Sequence, residues 1–315
     1  MLKKFRNKSE DRIQQQIRAV VGRHGAELHE KVRVADIVDI DKLDRRELGT
    51  YALQAHFDFV LTDEDQQAVV AIEFDGPGHN ASNDAKKNSI CQKADLPLFR
   101  IYGFQEVREI NAMTLTRYLV ELVFHARYFR KMKADGHLDP TEPFMLSGFI
   151  KEGAQNIFDS EFDFMLKAQG KLTRALKQHG LTEDPLPHLT ISALALRSPT
   201  NDLHAFIAIN STKGPIMGKS KLRISLPSQG FLAEIGSLPM EIAQFAEGMA
   251  SDDLCENIRL VGIGAGHVVT ATDELLAEIT ELARQGFTVA IGGGSMRAEA
   301  DLLAAFAAGR GGQLL

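Results

Sequence analysis

Cysteine is nearly absent from this chain, with two residues, Cys91 and Cys255, in 315. They stand far apart, so neither a disulfide framework nor a thiolate zinc site is expected, and each reads as a small core or surface residue in a reducing compartment. Long apolar runs are missing too: no window approaches the ~20 uncharged apolar residues that a membrane-spanning helix needs. The opening MLKKFRNKSEDR is basic but runs into a polar helical pattern, without the apolar stretch of a secretory signal. These absences predict a soluble, cytoplasmic protein with no membrane association. Internal repeats and low-complexity tracts are likewise absent. So is a basic excess: 36 Lys and Arg against 42 Asp and Glu leave a net charge of -6. A polyanionic partner would therefore have to be held by local basic patches rather than by the surface as a whole.

What is present suits a chain with a good core, since 44% of residues are hydrophobic and 25% charged. The length exceeds the usual size of one domain, so two domains are expected. Ser9 is placed to cap a helix in which Ile13, Ile17, Val20 and Val21 recur at helical spacing, ending near Gly22 or Gly25. LHEKVRVADIVDI alternates polar and apolar residues and reads as a strand, with DKLDRRELG as a connection. HFDFVL and VVAIEFD are β-rich runs on either side of the polar turn TDEDQQ, which predicts an antiparallel hairpin. GPGHNASND is loop chemistry, and Asp84 is placed to cap a helix through Lys86, Lys87, Ile90 and Cys91. LPLFRIY then reads as a buried strand and Asn111 to Lys131 as a long helix.

The turn-rich stretch ADGHLDPTEPF marks a boundary, which divides the chain into residues 1–133, a linker and helical segment at 134–199, and a C-terminal region at 200–315. In the remainder, a helix near Glu161 to His179 precedes the β-like runs LTISALAL and HAFIAIN. IRLVGIG, ELLAEITELARQ, FTVAIGGG and MRAEADLLAAFAA then alternate strand and helix patterns, so a second α/β domain is expected.

The chemistry concentrates on the hairpin. Asp58 lies on its first strand, and Glu73 and Asp75 lie two apart on the second. On a regular strand those two face one way while Ile72 and Phe74 face the other. Three carboxylates so placed repel one another unless a cation sits among them. One or two Mg²⁺ ions held by such oxygens can activate water and neutralise a phosphorane, which is what phosphodiester hydrolysis requires.

FDFVL, VVAIEFDGPGH and NDAKKNSICQKADLPLFRI together resemble uncharacterised bacterial domains of the PD-(D/E)XK nuclease superfamily, related to the very-short-patch repair endonucleases. The resemblance is strong from Phe57 to Ile101, weaker in the opening helix, and does not cover the C-terminal half. It implies a restriction-endonuclease-like α-β-β-β-α-β core, agreeing with the order read from periodicity, and a Mg²⁺- or Mn²⁺-dependent endonuclease. DNA is the expected substrate, with RNA as the alternative. It assigns the metal to Asp58, Glu73 and the Phe74 carbonyl. The superfamily's usual Lys position falls on Asp75, so the missing cation is sought in Lys87, less readily in Lys86, with His79 as acid or base. Plainer readings stand beside these. Asp75 can cap the turn at Gly76, His79 can be an exposed loop residue, and the lysines of the helix can be its solvated face.

Outside this region, Lys167, Lys171, Arg174 and Lys177 form one basic stripe on a helix, and TKGPIMGKSKLR gathers Lys213, Lys219, Lys221 and Arg223 in a Gly-rich loop. Either set could contact a phosphate backbone, and either could be solvated surface. GIGAGH and GGGS each follow an apparent strand but match no full nucleotide-binding motif, so tight turns are preferred. A protein partner or a homo-oligomer is compatible with all of this. Two other functions remain open: a nuclease fold that binds nucleic acid or protein without cutting, and a nucleotide-sensing C-terminal domain with a nuclease effector.

Overall fold

The structure is a computed structural model that describes residues 8–75, 81–103, 105, 108–110, 112–149, 160–199, 202–225, 231–232, 235–265, 273–293 and 296–310. Its architecture is mixed α/β with a largely antiparallel sheet. The chain forms two compact units, residues 1–149 with 224–238, and residues 150–223 with 239–315.

In the first unit, α1 (Lys8–Val21) leads through a 3₁₀ turn, Gly22–His24, to β1 (Glu27–Arg33). Ile13, Ile17 and Val20 are fully buried on the apolar stripe of α1, which packs along the long helix α5 (Leu115–Ala134). The expected strand from Leu28 to Ile40 stops at Arg33, because VADI turns into a helix, α2 (Val34–Ile37). Val34 and Val38, four apart, are both buried. The charged stretch read as a connection contains a further helix, α3 (Arg46–Ala52), anchored by Leu48 and Ala52. Two short helices therefore stand between the first two strands of the expected α-β-β-β-α-β order.

The hairpin forms as read. β2 (His56–Thr62) pairs antiparallel with both β1 and β3 (Ala68–Asp75), with Phe59 opposite Ile72 and Val60 opposite Ala71. Helix α4 (Ala81–Lys93) then carries the chain to β4 (Leu98–Tyr102), which runs parallel to β3 with Glu73 beside Arg100. The far side of β4 pairs with Ile224 and Ser225. Beneath α4 lies a core of Val60, Ala71, Ile90, Cys91, Leu96 and Leu98, joined by Val34, Leu48, Ala52 and Phe57. The alternate strand residues Phe59, Leu61, Val70, Ile72, Phe99 and Ile101 are buried as well, so both sides of the sheet are covered. A two-stranded ribbon of β5 (Glu109–Ile110) and β6 (Met113–Thr114) precedes α5.

In the second unit, α6 (Phe164–Gln178) precedes an antiparallel array in which β7 (Ser192–Arg197) lies between β8 (Asp202–Ser211) and β10 (Thr288–Gly293). β8 pairs in turn with β9 (Gly214–Ser225). One face is covered by α8 (Asp273–Arg284) and α9 (Met296–Arg310), through Leu194, Phe206 and Met217 against Leu275, Ile279 and Phe306. The other meets α7 (Leu238–Gly262), whose Ala246 carbonyl accepts a hydrogen bond from Ser220. Two sequence expectations are corrected here. IRLVGIG is the end of α7 rather than a strand: Leu254, Ile258 and Val261 repeat at helical spacing and are all buried. A short apolar run seen alone does not separate the two cases. The supposed Gly-rich loop is the second arm of a long hairpin, with Lys213 at its turn and Lys219, Lys221 and Arg223 on β9. Among the described residues no helix is long and apolar enough to cross a membrane.

Candidate active site

Asp58, Glu73, Asp75 and Lys87 meet on the α4 side of the first sheet. The hairpin register that sets Val60 opposite Ala71 carries Asp58 toward Glu73 on the same face, and α4 lays Lys87 over both strands. Asp58 accepts from the Phe74 backbone N–H at 2.9 Å and from the Lys31 ammonium at 2.6 Å. Lys31 also reaches Glu10 on α1 at 2.8 Å and holds a left-handed backbone with φ 51° where the β1–β2 ladder is interrupted. Burial pulls the Lys31 ammonium down, but its two carboxylate partners outweigh this and hold it above its ordinary value.

Glu73 is only 4% exposed. Its Oε2 accepts from Lys87 at 2.7 Å, while Oε1 has no hydrogen-bond partner among the described residues. Burial pushes the Glu73 carboxyl up to about 7, opposed by the Lys87 charge and reinforced by the negative charge of Asp58. Lys87, 8% exposed, also donates to the His56 carbonyl at 2.9 Å and lies 5.6 Å from the Phe57 ring centre. Three partners thus fix the ammonium against the carboxylate pair.

Asp75 is turned to another task. Arg100 of β4, 2% exposed, donates to Asp75 at 3.1 Å and to Asp84 of α4 at 3.0 Å, and to Asn88 at 3.1 Å. Asp84, expected as a helix cap, lies inside the first turn of α4 and ties that turn to β4. Sequence reading missed Arg100, although its place in LPLFRIY carries a signal: a lone arginine inside a buried apolar strand must find carboxylates. Lys86 points away to Glu47 at 2.8 Å. Cys91, fully buried behind Glu73, has its thiol pushed up to about 12 by burial and serves as core. His79 lies outside the described residues.

The basic residues singled out elsewhere belong to the second unit and fall in two sets. On α6, Lys171 pairs with Asp252 at 3.4 Å, Arg174 donates to the Gly170 carbonyl, and Lys177 donates to that of Pro185. Lys167 stands half-buried on the same helix. On the hairpin, Lys219 pairs with Glu278 at 2.6 Å, Lys213 donates to the Val261 carbonyl at 3.2 Å, and Lys221 is exposed.

A second group that could hold a metal ion lies in the first unit, where sequence reading placed none: His24, Glu121 and His125 bring their ligand atoms within 4.8 Å of one another. Glu121 is 1% exposed and accepts from His24 Nε2 at 2.9 Å and from Arg23. Burial pushes the Glu121 carboxyl up, but the His24 hydrogen bond and the Arg23 charge prevail and hold it below its ordinary value. The i, i+4 spacing of Glu121 and His125 was visible in the sequence. The distant His24 was not.

Residues 3–113 match a family described as "Protein of unknown function (DUF2726)". No curated protein and no solved structure matches the chain. The matched segment contains Asp58, Glu73, Asp75, Lys87 and Arg100 and stops before Glu121.

Proposed function

We propose that the first unit is a divalent-metal-dependent nuclease of the PD-(D/E)XK type that hydrolyses phosphodiester bonds, with DNA as substrate. The observation that carries this reading is the convergence of Asp58, Glu73 and Lys87 on one sheet face, with a buried Glu73 oxygen that has no hydrogen-bond partner among the described residues. A buried carboxylate oxygen left bare is costly, and a cation is one means of satisfying it. The donors on this face are all hard oxygens, which fits Mg²⁺ or Mn²⁺ and does not favour a softer ion. Asp58, Glu73 and the Phe74 carbonyl would hold the ion, which when bound supplies charge neutralisation at the phosphate and a more acidic water.

The chain's own residues do the rest. Lys87 fills the role of the cation that the usual motif places two residues after Glu73, reaching the same carboxylate from α4. Asp75 at that motif position is neutralised by Arg100, which also pairs with Asp84 and so ties β3, β4 and α4 into one frame. Lys31 balances Asp58 and Glu10 and must yield Asp58, at least in part, to an incoming ion.

The test is incubation of the purified chain with supercoiled, linear and single-stranded DNA and with RNA, in Mg²⁺, Mn²⁺ or EDTA, beside Asp58→Asn and Glu73→Gln. Metal-dependent cleavage by the wild type and none by either variant is the expected result. The neutralisation of Asp58, Glu73 and Asp75 by Lys31, Lys87 and Arg100 favours a second reading, a module that binds nucleic acid without cutting it. Binding unaffected by either variant, with no cleavage under any condition, would select it.

A further inference from the structure

We propose that His24, Glu121 and His125 form a separate zinc site that clips the 3₁₀ turn after α1 to the middle of α5. Two imidazoles and one carboxylate are a common zinc donor set, and the metal sits about 2.0–2.2 Å from each donor. In a tetrahedral site such bonds put neighbouring donors roughly 3.4 Å apart. Here Glu121 Oε2 lies 2.9 Å from His24 Nε2 and 3.7 Å from His125 Nδ1, on either side of that distance, and all three donor atoms lie within 4.8 Å of one another.

The surroundings hold these donors in place. The His24 ring stacks on Phe124 at 4.6 Å with an interplanar angle of 8°, and the His125 ring stands edge-on to Phe149 at 4.5 Å. Arg23 occupies Glu121 Oε1, which leaves Oε2 as the donor facing the two rings. Outer partners of this kind orient a ligating carboxylate. His125 Nδ1 also contacts the Glu121 carbonyl at 2.9 Å, so binding exchanges that hydrogen bond, and the one between His24 and Glu121, for bonds to the ion. Three protein donors leave a fourth position for water.

The function assigned to the ion is structural. His24 and Glu121 are 97 residues apart, and α1 carries Glu10, the second carboxylate on Lys31. A bridge between α1 and α5 therefore also steadies one wall of the hairpin site. Harder ions prefer all-oxygen sets, so Mg²⁺ should not compete here.

Calorimetric titration of the EDTA-treated full chain with Zn²⁺ tests this, repeated in Asp58→Asn/Glu73→Gln, His24→Gln and His125→Gln, each checked for fold by circular dichroism. One zinc per chain is expected in the wild type and in the double carboxylate variant, with affinity at least about tenfold weaker in each histidine variant. Co²⁺ added to the wild type should give the visible bands of a four-coordinate ion with nitrogen ligands. Absence of zinc binding by the wild type overturns the site whatever the variants do, as does equal binding by a folded histidine variant. Loss of zinc in the carboxylate variant alone would place the ion at the hairpin instead.

Discussion

Two buried glutamates with similar acidity illustrate opposite uses of burial. Glu73 has Lys87 beside it and Asp58 across the hairpin, so its charge is contested, and one of its oxygens has no partner among the described residues. Replacing Lys87 by Met should lower the rate of DNA cleavage by about 10²–10³-fold, the loss expected for a fixed donor to developing charge. Lys87→Arg should recover little, because a planar guanidinium does not fit a point contact to one carboxylate oxygen and one carbonyl. Single-turnover kinetics at saturating metal would measure this, and unchanged cleavage in Lys87→Met would remove Lys87 from the mechanism. Glu247 of α7, by contrast, is 3% exposed, and burial alone pushes its carboxyl up to about 7. Between the ordinary value near 4.5 and about 7 the folded chain keeps a proton that the unfolded chain releases. Stability therefore falls as pH rises through that window. A shift of this size at ~1.4 kcal/mol per unit amounts to roughly 3 kcal/mol lost by pH 8. Glu247→Gln should then be only slightly stabilising at pH 5 and stabilising at pH 8 by up to that amount, as read by urea unfolding at the two pH values. An equal effect at both would show that Glu247 is not the group responsible.

At the scale of elements, the hairpin and its flanking helix were readable because their cues are local: alternation in HFDFVL and VVAIEFD, a polar turn, and a charged helix after it. Asp58, Glu73 and Lys87 could be placed together from those cues, since strand alternation and one crossover bring them to one face. Arg100 and Lys31 escaped notice because their roles depend on partners set by register, Asp75 and Asp84 for one, Asp58 and Glu10 for the other. VADI and IRLVGIG went astray as short apolar runs, whose period becomes visible only with the neighbours they pack against. GPIMGKSKLR misled through its glycines. Gly218 is not at a turn. It is the point where β9 meets α7, and a Cβ there would lie 2.2 Å from the Ala250 carbonyl and 2.3 Å from the Leu254 nitrogen. Those are backbone atoms of a helix and cannot step aside as a side chain would, so Gly218→Ala should cost about 3 kcal/mol, the upper range for overpacking. Gly214→Ala, with φ 105° at the hairpin turn and open space around it, separates backbone strain from collision. Equal, small losses in both would deny the close approach.

At the scale of the whole molecule, the chain leaves the first unit after residue 149 and returns to it for residues 224–238. No local signal announces that return, because it is a matter of long-range pairing: Ile224 and Ser225 complete the outer side of β4 beside Ile101 and Arg100. Ser237 then donates to the Phe144 carbonyl at 2.7 Å, and Phe231 helps line an apolar recess of about 330 Å³ with Phe129 and Phe144. A fragment ending at residue 149 would keep all the carboxylates of the hairpin site yet expose the backbone edge of β4 next to Arg100. An unpaired flat edge is a template for self-association. The fragment 1–149 should therefore elute from size exclusion as oligomers or aggregate, and unfold at a lower temperature than the first unit does in the full chain. Because Arg100 holds Asp75 and Asp84 from that same strand, any metal-dependent cleavage by the full chain should weaken in the fragment even though Asp58, Glu73 and Lys87 are intact. A monomeric fragment with full-chain stability and cleavage would mean that residues 224–238 are dispensable to the site, and that β4 tolerates an open edge.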